Sequence, residues 1–430
     1  MPALPTFTAE EVPEGATDCG DGEWMSRGRR WAAAEEALMT RLDGPDLDAE
    51  FVRLPDLASR RLGGAVVDAS DDFFADRAAL VMPGPVKPRT EFGYRGKVYD
   101  GWETRRRREP GSDHATVRLG IPGVVHGVVV DTSFFRGNYP PEISVQATAL
   151  EDYPGPAELA GAEWSTLVAR SPAKGDTANV YEVDDRHRFT HVRLTIYPDG
   201  GVARFRVHGE AVLDPRLLHG TVDLAAQERG GLLAACSDRF FSSPENLLLP
   251  GPARSMGEGW ETARRRGGGN DWVVVSLPGA SRLRDVVFDT GHFLGNAPGE
   301  VQISGATIER PGTDPTALAR RVWAPLVARR PVRPDTPHRF RIGPGAPAVT
   351  HLRVDIYPDG GFARFRAHGE LTPAAHRAAV RRWLDALPPA HLRQALTGAG
   401  LDRALVAGAL SVQGRRVEWS SELLAAFAPP

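Results

Sequence analysis

The chain has 430 residues, 52 Lys and Arg against 55 Asp and Glu, a formal net charge of −3 and 41% hydrophobic residues. This is the composition of a globular protein of two or three domains, with no general basic surface for DNA or RNA. Two distant cysteines, Cys19 and Cys236, support neither a disulfide framework nor a thiolate zinc site. No apolar run approaches a membrane span and the acidic N-terminus lacks a signal-peptide core, so the cytoplasm is the expected compartment.

Residues 1–50 form an N-terminal extension with helical spacing over 23–42 ("EWMSRGRRWAAAEEALMTRL"). Next come short, alternating stretches rich in Val, Ile, Thr and aromatics: "ATVRLG", "GVVVDT", "EISVQAT", "HVRLTIY" and "ARFRVHG". These read as strands. Between the last two lies Pro-Asp-Gly-Gly, a tight turn whose glycines supply positive φ. From Thr372 onward the period returns to helical in "PAAHRAAVRRWLDALPPAHLRQAL" and "LDRALVAGAL", broken at Pro388 and Pro389. The terminal segments read as packing or assembly surfaces.

The strand-rich part is written twice. "HVRLTIYPDGGVARFRVHGE" (191–210) returns as "HLRVDIYPDGGFARFRAHGE" (351–370), with fifteen of twenty positions the same. "VVDASDDFFAD" matches "LAACSDRFFSS", "GWETRRRR" matches "GWETARRR", and "VVVDTSFFRGN" matches "VVFDTGHFLGN". A period of about 160 residues is domain-sized, too long for a solenoid. The expected architecture is all-β: two tandem jelly-roll β-sandwiches over 51–212 and 220–372, with helical flanks at 1–50 and 373–430.

The duplicated polar residues are the candidates for chemistry. Arg204 and Arg206 share a strand face beside the Gly-rich turn and either bind a carboxylate in a bidentate fork or pair within the fold. Glu103 follows Trp102 and points the opposite way, as an acid–base group or as half of a structural ion pair. Asp71 and Asp238 either line a pocket or cap a turn. Asn138 and Asn296 leave a strand for a loop, where function concentrates. The recurring His191, His208, His351 and His368 have no metal-site spacing around them, and no nucleophile elbow, P-loop or dinucleotide fingerprint is present.

"LASRRLGGAVVDASDDFFADRAALV", "YDGWETRRRR", "VVVDTSFFRGNYPPEISVQA" and "YPDGGVARFRVHGE", in this order and duplicated, resemble the allantoicase (allantoate amidinohydrolase) family over about Phe51 to Glu370. The unit is more distantly similar to galactose-binding-like, discoidin-type jelly rolls. The first resemblance implies hydrolysis of allantoate to ureidoglycolate and urea in purine degradation, with no cofactor and, as a family expectation, a homo-oligomer. One site per repeat is then expected at one end of each sandwich. Arg106 and Arg204 hold the substrate carboxylate, Glu103 and Asp71 serve as acid and base, and Asn138 positions a ureido group. Their counterparts are Arg264, Arg364, Glu261, Asp238 and Asn296. Asp72 against Arg239, Arg105 against Ala263, His114 against Trp272 and Phe134 against His292 break the symmetry, so one active repeat or a site between repeats stays open. The alternatives are a non-catalytic tandem ligand-binding module and a metal-dependent hydrolase of another ureido substrate that uses the repeated histidines.

Overall fold

Each repeat is organised by one unusually long strand, Asp113–Asp131 in the first and Asp271–Asp289 in the second. The sequence reads "ATVRLG" and "GVVVDT" as separate strands; they are two halves of one. Its N-terminal half pairs antiparallel with Arg188–Tyr197, from Asp113 opposite Ile196 to Arg118 opposite His191. Its C-terminal half pairs with Arg204–Ala211, with Asp131 opposite Arg204, and with Ala178–Glu182. The register breaks between Arg118 and Gly123, where Pro122 and two glycines interrupt the alternation. A side chain at Gly120 would meet the Leu62 carbonyl at 2.4 Å, so glycine permits the close approach that bends the strand from one layer into the other. The second repeat bends between Ser276 and Ser281, around Pro278 and Gly279.

Trp102, Val117, Leu194 and Phe205 fill the first core, and Trp260, Val275, Val354 and Phe365 the second, all fully buried. Burial of one such side chain stabilises the fold by about 2–3 kcal/mol. Every strand pairing in both sandwiches is antiparallel, as the alternating pattern requires.

The computed structural model describes residues 49–308, 315–412 and 419–428. The helix expected over 23–42 lies outside them. All of these residues except Gly84–Lys87 belong to a single unit. The C-terminal helices Pro373–Ala386, Pro389–Gly398 and Arg403–Val412 are present as the period predicts, and a further short helix, Ser421–Ala425, follows. Val380, Trp383, Leu384, Leu392 and Phe427 share a core with Val124 and Val212 of the first repeat. Arg382 pairs with Glu210 at 2.5 Å, and the His376 ring meets the Pro215 carbonyl at 3.1 Å. The same helical segment is anchored to the second repeat where the Thr372 amide donates to the Ala280 carbonyl at 2.8 Å. Among the described residues no helix is long and apolar enough to cross a membrane.

Candidate functional site

The duplicated motifs converge at one end of each sandwich. In the first repeat the short strand Trp102–Glu103 pairs with Gly201–Val202 of the Pro-Asp-Gly-Gly turn, placing Glu103 opposite Gly201. On its other side the Glu103 amide donates to the Ala75 carbonyl at 3.2 Å, so the backbone of this residue is held from both directions. Gly200 has φ +143°, and a side chain there would strike the Asn138 carbonyl at 2.8 Å. The Gly201 amide donates to that carbonyl at 2.7 Å. The turn therefore needs its glycines in order to seat the Asn138 loop. Trp102 is buried as a wall, its indole N–H donating to the Asp71 carbonyl at 2.7 Å.

Within this frame the Asn138 amide Nδ2 donates to Glu103 Oε1 at 2.6 Å. Burial raises the Glu103 carboxyl above its ordinary range, and the bond from Asn138 only partly opposes that. The ion-pair reading of Glu103 is not what the structure holds: its side-chain partner is a neutral amide. Glu103 and Asn138 line a cleft of about 340 Å³ with Phe74, Arg95, Lys97, Tyr99 and Gly137. A half-buried carboxyl whose pKa is raised, set in a cleft with polar groups, is suited to giving and taking a proton.

The other predicted residues are placed differently. Asp71 does not line the cleft. Its carboxylate accepts the Arg105 amide at 2.5 Å and pairs with the Arg105 guanidinium at 2.9 Å. Arg204 is buried beside Asp100, with bonds of 3.0 and 2.9 Å to the two carboxylate oxygens, while Nη1 donates to the Asp100 and Ala203 carbonyls. Its terminal nitrogens are thus engaged inside the fold, and a substrate carboxylate would have to displace Asp100. Arg206 pairs with Asp56 and Arg107 with Asp113. Arg106 is exposed, makes no hydrogen bond or ion pair among the described residues, and lies outside the cleft lining.

In the second repeat Asn296 Nδ2 donates to Glu261 Oε1 at 2.7 Å, and the Gly361 amide donates to the Asn296 carbonyl at 2.8 Å. Asp238 caps a turn, accepting the amides of Phe240 and Ala263 at 2.9 and 3.3 Å, while its carbonyl holds Trp260. Arg364 is buried and donates to the carbonyls of Gly251, Glu258 and Ala363; burial lowers its pKa to about 10. Arg264 is exposed and, like Arg106, has no hydrogen-bond or ion-pair partner among the described residues.

The repeated histidines serve the fold. His191 and His351 each contact the preceding threonine hydroxyl through Nδ1 at 2.9 Å, and burial lowers both to a pKa of about 4. His208 meets the Leu54 carbonyl and His368 meets Asp285. Among the described residues no three His, Cys, Asp or Glu side chains group as metal ligands.

The sequence reading missed Arg95, Lys97 and Tyr99, because it followed residues written twice and these are written once. A signal was available: the segment from Asp71 to Gly101 is about nine residues longer than its counterpart from Asp238 to Gly259. That extra length holds the hairpin in which Phe92–Gly93 pairs with Gly96–Lys97.

Comparison with known proteins agrees with the duplication. Residues 55–212 and 222–372 each match the allantoicase repeat. A protein of Nocardia farcinica named "Probable allantoicase" is 53% identical over 325 residues, covering 75% of this chain and 95% of its own. A Streptomyces coelicolor protein of the same name is 44% identical, covering 78% and 90%. The crystal structure of allantoicase from Saccharomyces cerevisiae superposes with a TM-score of 0.63 at 32% identity, over 78% of this chain and 98% of that one. Two tandem matches to the allantoicase repeat and this extent of identity place the chain in the allantoicase family.

Proposed function

We infer that this protein is a hydrolase that converts allantoate and water into ureidoglycolate and urea, a step of purine degradation. Family membership supports the reaction, and one observation supports the place: Glu103, raised by burial and held by Asn138, lies in a cleft that also presents two cations. Allantoate is a carboxylate on a carbon that bears two ureido groups. In its neutral form Glu103 protonates the departing ureido nitrogen as the bond from that nitrogen to the central carbon breaks. The lone pair of the remaining ureido nitrogen supports the electron-poor carbon. The resulting carboxylate then takes a proton from the water that adds there, which restores neutral Glu103 and balances the reaction. Asn138 keeps the carboxyl in place and retains Oδ1 for a ureido N–H. Asp71 acts at one remove, fixing Trp102 through its carbonyl and Arg105 through its carboxylate.

Urea and ureidoglycolate measured from allantoate and purified protein, with and without EDTA, test the reading. Stoichiometric urea insensitive to the chelator is the expected result. Loss of turnover in EDTA would remove Glu103 from the leading role, and no urea from folded protein would end the reading. A cytoplasmic homo-oligomer goes with this proposal on the strength of the family resemblance, and light scattering of the purified protein checks the assembly.

A further inference from the structure

We propose that the hairpin of the first repeat, through Arg95 and Lys97, is the clamp for the substrate carboxylate, and that the reacting site is therefore in the first repeat alone. This rests on the allantoate reading above. The arginines of the duplicated motifs are largely committed: Arg105 to Asp71, Arg107 to Asp113, Arg204 to Asp100 and Arg206 to Asp56. The cleft nevertheless needs positive charge, because an anionic substrate beside Glu103 is otherwise repelled whenever that carboxyl ionises.

Arg95 and Lys97 meet the need without a carboxylate neutralising either one among the described residues. The Arg95 guanidinium lies 4.6 Å from the Phe73 ring centroid and 5.0 Å from that of Tyr94, and Nη1 donates to the Phe73 carbonyl. Aromatic faces and one carbonyl thus fix the guanidinium and leave other N–H donors available. Lys97 Nζ sits 5.1 Å from the Tyr99 ring, and Tyr99 stacks on buried Phe135 at 4.7 Å. Phe135 is packed tightly enough that a side chain at Gly201 would meet its ring at 2.0 Å. The clamp is therefore tied to the same packing that seats the Asn138 loop.

The second repeat keeps the Glu–Asn pair and lacks the clamp. The counterpart segment, Asp238–Gly259, carries two arginines and both are neutralised: Arg239 by Glu245 at 2.8 Å, and Arg254, whose Nε and Nη2 bind Glu258 at 2.9 and 2.5 Å. Met256 occupies the neighbouring position, with its sulfur 3.1 Å from Asn296 Nδ2. A thioether and a neutralised arginine stand where the first repeat has two available cations.

Steady-state urea release by the full-length R95M/K97M double variant, with allantoate varied, tests both parts. The expected result is a single hyperbola whose KM is raised roughly 100-fold, with kcat within about threefold of the parent, since two charge-assisted contacts to the ground state are lost. The conservative swap R95K/K97R should recover most of that KM, and an unchanged circular dichroism spectrum shows that the fold is kept. An unchanged KM in the double variant overturns the clamp. A biphasic curve keeping about half the turnover at the parental KM shows an independent site in the second repeat and overturns the single-site conclusion. Absence of urea from the parent protein would take down the substrate reading and the clamp with it, an outcome distinct from parental turnover with no response to the double substitution.

Discussion

The two repeats share a frame and differ in what they hang on it. Both place a Trp-Glu strand against a Gly-Gly turn, and both hold the glutamate with an asparagine amide, at 2.6 Å in one and 2.7 Å in the other. Around that shared pair, the first repeat adds a cationic hairpin and the second a shorter connection whose arginines are neutralised in place. On the proposed reading, identity between internal copies marks the scaffold of the site, while the residues that would select a substrate lie where the copies disagree.

The largest test of this contrast is Glu103→Gln. It should lower kcat by about 10³-fold while leaving KM and the far-ultraviolet circular dichroism close to the parent's, as expected for loss of an acid–base group. Parental turnover in that variant would sink the assignment of the chemistry to Glu103.

The buried arginines sharpen the comparison through stability. Arg204→Met removes a buried guanidinium whose Nη2 contacts both Asp100 oxygens and should cost about 3–5 kcal/mol. Arg364→Met abandons only carbonyls and should cost about 1–3 kcal/mol. Urea unfolding of the two variants checks the ranking, and equal costs would mean that the Asp100 pair is not what distinguishes them.

His191 and His351 offer a test in which the repeats should behave alike. Burial, aided by Arg118 and opposed by Glu151, lowers His191 to about 4; burial and Arg321 do the same for His351. With the folded pKa below that of the unfolded chain, about 6.5, the unfolded state takes up protons first as pH falls. Stability from these groups is therefore complete above about pH 6.5 and declines toward pH 4, by up to about 1.4 kcal/mol per pH unit for each histidine. H191Q and H351Q should each flatten the acid slope by a similar amount in urea titrations at stepped pH. A slope unchanged in both would show that neither histidine is buried in its neutral form.

The smallest expected effect is that of Asn138→Ala. Donation from Asn138 holds the Glu103 pKa down, so its removal should move the Glu103 limb of the kcat/KM–pH profile to higher pH, with a loss of about tenfold in kcat. A profile that stays in place would confine Asn138 to building the loop.

Much of the fold could be read from the chain. Alternation of Val and Ile with polar residues marks the strands, and Pro-Asp-Gly-Gly marks a turn whose first glycine takes positive φ in both copies, +143° at Gly200 and +123° at Gly360. The single strand Asp113–Asp131 was read as two because Pro122 and its flanking glycines look like a break, whereas here they bend a strand that stays paired on both sides. The roles of the arginines were less legible. A run of four carries no sign of which member meets Asp71 and which meets Asp113, since those partners arrive from other strands. Arg95 and Lys97 are written only once, and the aromatic faces that hold them, Phe73, Tyr94 and Tyr99, come together only in the folded chain.

The C-terminal helices give the tandem arrangement a direction. The last strand of the second repeat leads straight into helices that lie on Val124 and Val212 of the first, so the end of the chain finishes the domain near its beginning. A first sandwich without these helices would leave that apolar surface to water. The covering is delivered only once the second repeat has been synthesised, because the helices follow it in the chain. Ribosomal synthesis would therefore leave this face of the first repeat uncovered until the helices that follow the second repeat emerge, and proteolytic removal of those helices should damage the distant first repeat before the adjacent second.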